Sequence, residues 1–464
     1  MSDDPSKPLE AVESMRRNWD VVDPLMGGTL AMRAAGNNLL EQFEEEDQAS
    51  FDRRLKHSTL LPAYSETVSN MTGRVFADDI ILGDDTPDLI KAFTEDLDRQ
   101  GNNLQVWAKT FFSSALAYGL CHVLVEYPKT TDADGNPTIV TKADEQAAGV
   151  RPYTVLIRPQ QVLGWRSDSV GGEHVLTQFR YMESVDENDG EFGVKSVKQI
   201  RVLVPGAWAT YRETTVKNKK GWGLHEKGTS SLNVIPLATF YTNRTGFMTA
   251  TPPLMELAHL NVKHWNEQSD QDKSTRFSRI RLAVIIGVDD SEISKIKISS
   301  DSMLSLPVNA DIKVVQGSAE SVAIGRSELT ALLDDMRMSG AKLLQKDKQA
   351  VKTATQAEDE AAQELSPLET MASQLEDALD QVLQFFARLT GNPEGGHVKV
   401  NGNFDSDFIP ETTLPLLLNL AAQGKISDET LFKEMQRRNV VSPDIKWTEE
   451  QAKIAEQAPA LGTL

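Results

Sequence analysis

The longest patterned stretch of the chain lies between Arg326 and Gly391. Leu329, Leu332, Leu333, Met336, Gly340 and Leu343 recur every three or four residues, which predicts a helix from Ser327 to Leu344 with one apolar stripe. A polar break from Gln345 to Lys352 precedes a longer helix, Thr353 to Thr390. That helix restarts at Ser366-Pro367: Ser366 suits the N-cap, Pro367 the first helical position, and Glu369 completes a capping box. Leu368, Met371, Leu375, Leu379, Val382, Phe386 and Leu389 form its stripe, and Gly391 stops it.

Toward the N-terminus, residues 5–60 read as helical with breaks: a helix from Glu10 to Asp20, then interruption at Asp23-Pro24 and Gly27-Gly28. Glu41 to Asp47 (EQFEEED) is an acidic run expected to be a solvated face. Pro62 to Phe76 is helix-like, with Tyr64, Val68, Met71 and Val75 on one face. Two amphipathic helices, Asp88 to Gln100 and Leu104 to Tyr118, are separated by Gly101, and the second runs through Gly119 into a buried strand ending near Pro128. Asp132-Ala-Asp134-Gly-Asn136 fails as a calcium loop, because the positions that need Gly and Glu hold Pro137 and Ala143. A hairpin turn at Asp134-Gly135 is expected instead.

Residues 150–245 change to a strand pattern: Tyr153–Ile157, Val162–Trp165, Val175–Met182, Val194–Val204, Ala207–Glu213 and Leu237–Tyr241, an antiparallel region punctuated by Gly, Asp and Asn. A helix follows from Leu254 to Phe277, roughly 36 Å long at 1.5 Å per residue. Its first half is striped; its second, Asn266 to Arg276, is almost entirely polar, as in a helix that leaves the core to meet neighbouring helices or water. Strands Leu282–Ile286 and Ile312–Val315 bracket a short helix, Ser291–Ile298, a unit too small to be stable alone. Beyond Gly391 come a short strand (His397–Val400) and three short helices: Leu414–Gln423, Asp428–Asn439 with Ser427 as N-cap, and Glu449–Gln457 with a capping box from Thr448 and Gln451. The first few residues and Ala458–Leu464 are expected to fray. These elements predict an α+β protein, mainly helical.

Charge sharpens this picture. The net charge is −20 over 464 residues, which argues against general coating of DNA or of an anionic membrane, though not against DNA in a repelling channel. Against that background Lys342, Lys346, Lys348 and Lys352 form a basic island between the two long helices, opposed only by Asp347 and flanked by Asp334, Asp335, Glu358, Asp359, Glu360 and Glu364. One cysteine, Cys121, excludes an intrachain disulfide framework and fits a reducing compartment. No window approaches 18 uncharged apolar residues, and the N-terminus has no signal-peptide h-region.

Catalytic signatures are missing: GxxxxGK[ST], GxSxG and HExxH do not occur. His259 and His264, five apart on a helix, do not share a face for a metal. Cys121 and His122, adjacent on a strand, point to opposite faces and do not form a nucleophile pair.

Six segments in a fixed order carry a family resemblance. PLMELAHLNVKHWNEQSD (Pro253–Asp270) resembles the helix that enters the stem in portal proteins of tailed bacteriophages and prophages. Trp107 to Pro128, with its turn-to-strand at Tyr118–Glu126, is similar to their wing. MSGAKLL (Met338–Leu344), KTATQ (Lys352–Gln356) and Ser366-Pro-Leu368 resemble their second stem helix, tunnel loop and kinked long helix. GKISDET (Gly424–Thr430) resembles their crown, so the likeness runs over about residues 60–450.

The resemblance implies a mainly helical α+β portal fold with wing, stem, clip and crown. By position, residues 1–251 are the wing with N-terminal helices and antiparallel β region, 252–281 the descending stem helix, and 282–325 the clip. Residues 326–344 are the ascending stem helix, 345–353 the tunnel loop, 354–410 the long kinked wing helix and short strand, and 411–464 the crown helices. It implies a homo-oligomeric ring, usually of about twelve subunits, at one capsid vertex. Such a subunit is a structural virion component, assembled in the host cytoplasm, with no enzymatic activity, cofactor, metal or membrane contact. Implied partners are further copies of itself, the major capsid protein, the terminase large subunit, the head-tail adaptor protein, and double-stranded DNA passing through for packaging and ejection. Lys346, Lys348 and Lys352, with Lys342 one turn back, are the implied DNA-channel residues, and part of the negative charge is expected on the channel wall.

Two other classes stay open on the residues alone: a helical adaptor or scaffold protein of a virion that binds no DNA, and an enzyme with an unrecognised site. Native mass separates a closed ring from a small oligomer.

Overall fold

A computed structural model describes residues 4–128, 141, 144, 147–216, 219–279, 282–286, 311–315, 319–344, 366–404, 418–437, 441 and 445–456. The expected turn at Asp134-Gly135, the helix Ser291–Ile298, the first part of the Thr353–Thr390 helix and the frayed C-terminus lie outside these residues.

Helix α1 spans Glu10–Ala35 and runs through Pro24, contrary to the expected break there. Its apolar face, Val12, Met15, Trp19, Val22 and Leu25, is buried on both sides of the proline, and that burial holds the helix despite the missing N–H. The interruption falls at Gly28, whose φ of 74° only glycine adopts readily. Helices α2 (Gln48–His57), α3 (Ala63–Val75), α4 (Asp88–Thr94) and α5 (Leu104–Tyr118) follow. Strand β1 (Ile81–Leu82) lies between α3 and α4. Helix α4 ends a turn and a half before the expected Gln100, because Leu97 is fully buried and its backbone is used elsewhere. Leu97 N donates to Asn102 O, and Leu97 O accepts from Thr154 N, both at 2.9 Å.

Asn103 caps α5 by accepting from Val106 N, and Gly119 ends it in the left-handed region. Strand β2 (Leu120–Glu126) then becomes the centre of a sheet ordered β3-β2-β9, with β3 at Tyr153–Ile157 and β9 at Leu237–Tyr241. Between them runs an antiparallel meander: β4 (Val162–Val170), β5 (Glu173–Asp189), β6 (Gly193–Val204), β7 (Ala207–Val216) and β8 (Lys219–Thr229). Several of these strands exceed their predicted lengths, and β8 was not expected. Its sequence, KKGWGLHEKGT, does not alternate, and none of its described residues is buried, so only pairing with β7 defines it. A half-buried ion pair between Arg201 and Glu126 joins the two sheets, and Tyr153 Oη donates to Glu126 Oε2 at 2.9 Å. Burial pushes the Glu126 carboxyl up despite these partners.

A small ribbon, β10 (Arg244–Gly246) with β11 (Thr249–Ala250), leads into helix α6 (Met255–Arg279). Strands β12 (Leu282–Ile286) and β13 (Asp311–Val315) pair antiparallel in full register, and helix α7 (Ala319–Ala341) returns, beginning about two turns before the expected Ser327. Helix α8 (Pro367–Thr390) starts as its sequence requires: Ser366 Oγ accepts from Glu369 N, and Gly391 closes it in the left-handed region. Strand β14 (Val398–Lys399) pairs with β1. Residues 418–422 are helical, followed by α9 (Asp428–Arg437) and α10 (Trp447–Glu456). Ser427 Oγ caps α9, accepting from Thr430 N, whereas α10 starts at Trp447, so Thr448 lies inside the helix and not at its cap.

One core gathers α3, α5 and α8 against β2, with Phe111, Phe112, Phe240 and Phe386 at its centre. A second lies between α1 and the meander, around Trp19, Phe179 and Tyr181. The fold is α+β, as expected.

Candidate functional site

Helices α6 and α7 form an antiparallel hairpin. Gly325 lies against Gln271 and Gly340 against Leu257 and Thr67, so successive levels run in opposite directions. The two glycines are contact positions: a Cβ at residue 325 would meet Gln271 Oε1 at 2.2 Å, and one at 340 would meet Thr67 at 3.3 Å. Gln271 is buried and donates from Nε2 to Val322 O at 2.8 Å, a polar tie between the helices. With 25 residues α6 is about 37 Å long. The β12–β13 ribbon closes one end of the hairpin. At the other, α7 passes into a 3-10 turn, Lys342–Leu344. Leu329, Leu332, Met336, Gly340 and Leu343 are buried, as the stripe predicts.

The polar second half of α6 is held largely within the chain. Asn266, Ser269, Asp270 and Lys273 share one face, spaced three or four apart. The segment 39–58 lies along that face. Asn266 Nδ2 donates to Leu39 O at 2.9 Å, and Asn266 Oδ1 accepts from Glu41 N at 2.9 Å. Ser58 Oγ meets Ser269 Oγ at 3.1 Å, and Arg54 Nη1 approaches Asp270 Oδ1 at 3.6 Å. Arg54 also pairs with Glu46 at 2.8 Å and lies 4.3 Å from the Phe43 ring centroid. Lys273 reaches Glu46 at 3.6 Å and the same ring at 4.6 Å.

The acidic run Glu41–Asp47 is therefore more than the expected solvated face. Glu46 is an almost fully buried acceptor, and Asp47 caps α2 by accepting from Ser50 N at 2.9 Å. Burial opposes ionisation of Glu46, but the Arg54 hydrogen bond and charge outweigh it and hold the carboxyl below its usual value. Asp270, with only a distant share of Arg54, is pushed up by burial. Sequence reasoning missed this bracket because its partners lie more than 200 residues apart; the one local signal was the i, i+3, i+4 spacing of hydrogen-bonding side chains on α6.

Of the four basic-island residues, the structure describes Lys342 alone. It is exposed, while Leu343 and Leu344 beside it are buried, so the turn anchors the chain and leaves the amine outside. Lys346, Lys348 and Lys352 lie outside the described residues.

Cys121 and His122 do point apart. Cys121 sits in the helical core, where burial pushes its thiol up to about 12. His122 Nδ1 meets Thr239 Oγ1 at 2.9 Å on the other face, and burial lowers its pKa to about 3. Neither supplies a thiolate or a base near neutrality. On α6, His259 is exposed and His264 buried, in line with their not sharing a face. Among the described residues no cluster of three or more His, Cys, Asp or Glu is arranged for a metal, and no helix is long and apolar enough to cross a membrane.

Residues 253–390 match the model of a family described as a domain of unknown function, DUF4055. The match opens two residues before α6 and closes on the last residue of α8, so it spans the hairpin and the long helix. No curated protein matches the chain. Among solved structures, a chain in the virion of a native gene transfer agent (GTA) particle is 12% identical, covering 89% of this chain and 98% of that one, with a TM-score of 0.38. A chain in the neck of an empty GTA particle, computed with C6 symmetry, is 11% identical over 90% and 96%, with a TM-score of 0.37. Another, in the neck of a native GTA particle computed with C12 symmetry, is 12% identical over 82% and 89%, also at 0.37.

Proposed function

We propose that this chain is a portal subunit: a structural, non-enzymatic component of a phage-like virion that assembles into a ring at one capsid vertex and conducts double-stranded DNA during packaging and ejection. The observation that carries this reading is the α6–α7 hairpin with its β12–β13 ribbon, in the chain position the sequence resemblance assigns to a stem and clip. Its outer part leaves apolar side chains uncovered: Phe277 is 50% exposed, Ile324 55% and Ile286 46%. A lone two-helix hairpin exposing such residues is stabilised by lateral neighbours, and a ring of copies supplies them on both sides. The partners that follow are the major capsid protein, the terminase large subunit and the head-tail adaptor protein, with no cofactor and no membrane. DNA meets a wall of an acidic protein and, at the end of the hairpin away from the ribbon, Lys342, with Lys346, Lys348 and Lys352 next in sequence.

Native mass measurement together with end-on electron microscopy tests this. The expected result is a closed ring of about a dozen chains around an axial channel. A monomer or small open oligomer at all concentrations overturns the portal reading and favours the adaptor or scaffold class.

A further inference from the structure

Two surface features of this chain are complementary to each other and out of each other's reach within one copy. The first is the β5–β6 hairpin. None of residues 183–189 or 193–198 is buried, so this end of the meander stands clear of both cores. Its turn is narrowly defined: Gly190 has φ +74°, and a Cβ at Gly193 would meet Asp189 O at 2.4 Å. The turn presents Phe192 92% exposed, with Val194 67% exposed beside it. Asp186, Asp189 and Glu191 lie around them, while Glu187 is paired with Arg212 at 2.6 Å and faces Lys195 across the strands. A turn offering a bare aromatic ring among carboxylates has the form of a docking anchor.

The second feature is an open cleft of about 930 Å³ between α3, α5 and the segment after β3. Its lining is mixed: Val68 is buried and Met26 and Leu156 partly so, Val106 is 52% exposed at its edge, and the hydroxyls of Ser65, Ser69, Thr72, Ser113 and Ser114 lie between them. Lys109 and Arg158 stand exposed on the rim. Among the described residues Asp23 is the one carboxylate lining it, and its Oδ1 already accepts from Gln160 Nε2 at 2.6 Å. Apolar patches under two cations match an aromatic tip among carboxylates, the hydroxyls between them can meet the backbone of a turn, and the volume accommodates its few side chains.

The tip does not reach the cleft of its own chain. Gln161, on the cleft wall, donates to Met182 O at 3.2 Å, which fixes β5 at the cleft's edge. From Met182 the strand runs on to Asp189, about 23 Å at ~3.3 Å per residue, and the tip is carried away. We infer that the Phe192 tip of one copy docks in the Lys109–Arg158 cleft of the next. The contact joins different patches of identical chains, so it is heterologous and propagates around a ring. This inference rests on the ring reading above and assigns one of its subunit contacts.

Thiol cross-linking tests it. Phe192→Cys and Thr110→Cys are both at exposed positions, and the native Cys121 is fully buried, so the new thiols are the reactive ones. Mild oxidation of the assembled double variant is expected to give a ladder of covalent multimers, and each single variant alone none. Charge exchange is the second arm. Lys109→Glu with Arg158→Glu is expected to weaken assembly at least tenfold, and adding Asp189→Lys with Glu191→Lys to restore it. If the parent forms rings but the double-cysteine chain yields no ladder and the exchanged charges do not rescue, the hairpin–cleft contact is wrong while the ring reading stands. If the parent chain is monomeric at every concentration, both fall.

Discussion

Arg54 donates from Nη2 to Glu46 Oε2 at 2.8 Å, and the two side chains are 7% and 3% exposed. Eight residues apart in the chain, they meet against the polar half of α6, where Arg54 also reaches Ser269 and Asp270. Arg54→Gln removes the cation and leaves a buried carboxylate short of partners, which is expected to cost about 1–3 kcal/mol. Loosening should be local first: faster hydrogen exchange over residues 266–279, seen before any change in residues 367–390. Equal exchange at both places in the variant would show that the pair does not brace the hairpin.

The same pair has a pH signature. Glu46 has a folded-state pKa below its ordinary value, so its contribution to stability is fully present above the unfolded pKa, about 4.3, and is lost as pH falls through the lower folded value. The parent protein is therefore expected to lose stability in that acid window, and Glu46→Gln to lose less of it. Denaturation midpoints measured from pH 3 to 7 on the two proteins give the comparison.

Asn261 is fully buried on α6, donating from Nδ2 to Leu61 O at 2.9 Å and accepting from Tyr64 N at 3.0 Å. Its side-chain oxygen satisfies Tyr64 N, a first-turn N–H of α3 with no partner inside that helix, and its amide is a second donor to Leu61 O, which also accepts from Ala63 N at 2.8 Å. Asn261→Ala leaves Tyr64 N unpaired in a dry setting, at an expected cost of about 1–3 kcal/mol, whereas Lys263→Ala, exposed on the same helix, should be near neutral. Chemical denaturation of the two variants distinguishes a polar clamp from general helix packing.

Gly119 joins α5 to β2 with φ +95°, and a Cβ there would lie 2.6 Å from the carbonyl carbon and oxygen of Thr251, just before α6 begins. Gly119→Ala combines left-handed strain with a backbone clash and is expected to cost about 2–4 kcal/mol. Gly101, also at positive φ but with nothing near its missing Cβ, should lose less on the same change. Similar losses at both positions would mean that strain alone, and not the approach to Thr251, sets the penalty.

These positions mark how far the sequence could be read. Features written in adjacent residues were legible: the Ser366 cap and Gly391 stop of α8, the Leu104–Tyr118 helix, the β2 run, and the stripe on α7. Those that depend on distant partners were not. Nothing around Glu46 predicts that it is buried, because the groups that bury it, Arg54 and α6, are assembled only by the fold. Strand β8 has no apolar alternation since neither of its faces is covered, and α4 ends early because Leu97 is claimed by Thr154. For the basic island the sequence supplies four lysines, and the geometry adds one fact, that the turn holding Lys342 is pinned by Leu343 and Leu344.

That pinned turn frames the last expectation. Lys346, Lys348 and Lys352 follow directly after it, in a chain of net charge −20, and lysine is a flexible point charge suited to transient phosphate contact without base reading. On the portal reading proposed above, replacing all three with Gln should leave the helices and the ring intact, since solvated charges contribute little to stability. DNA retention and packaging yield should fall severalfold, with the deficit largest at low salt, where phosphate contacts are strongest. Lys342→Gln alone should have a smaller effect in the same direction, because its position on the turn is fixed and its reach shorter. Particles carrying the triple change that package and hold full-length DNA as well as the parent at every salt concentration would reduce the island to a solvated turn. Loss of ring assembly in the triple variant would instead assign those lysines to a subunit contact.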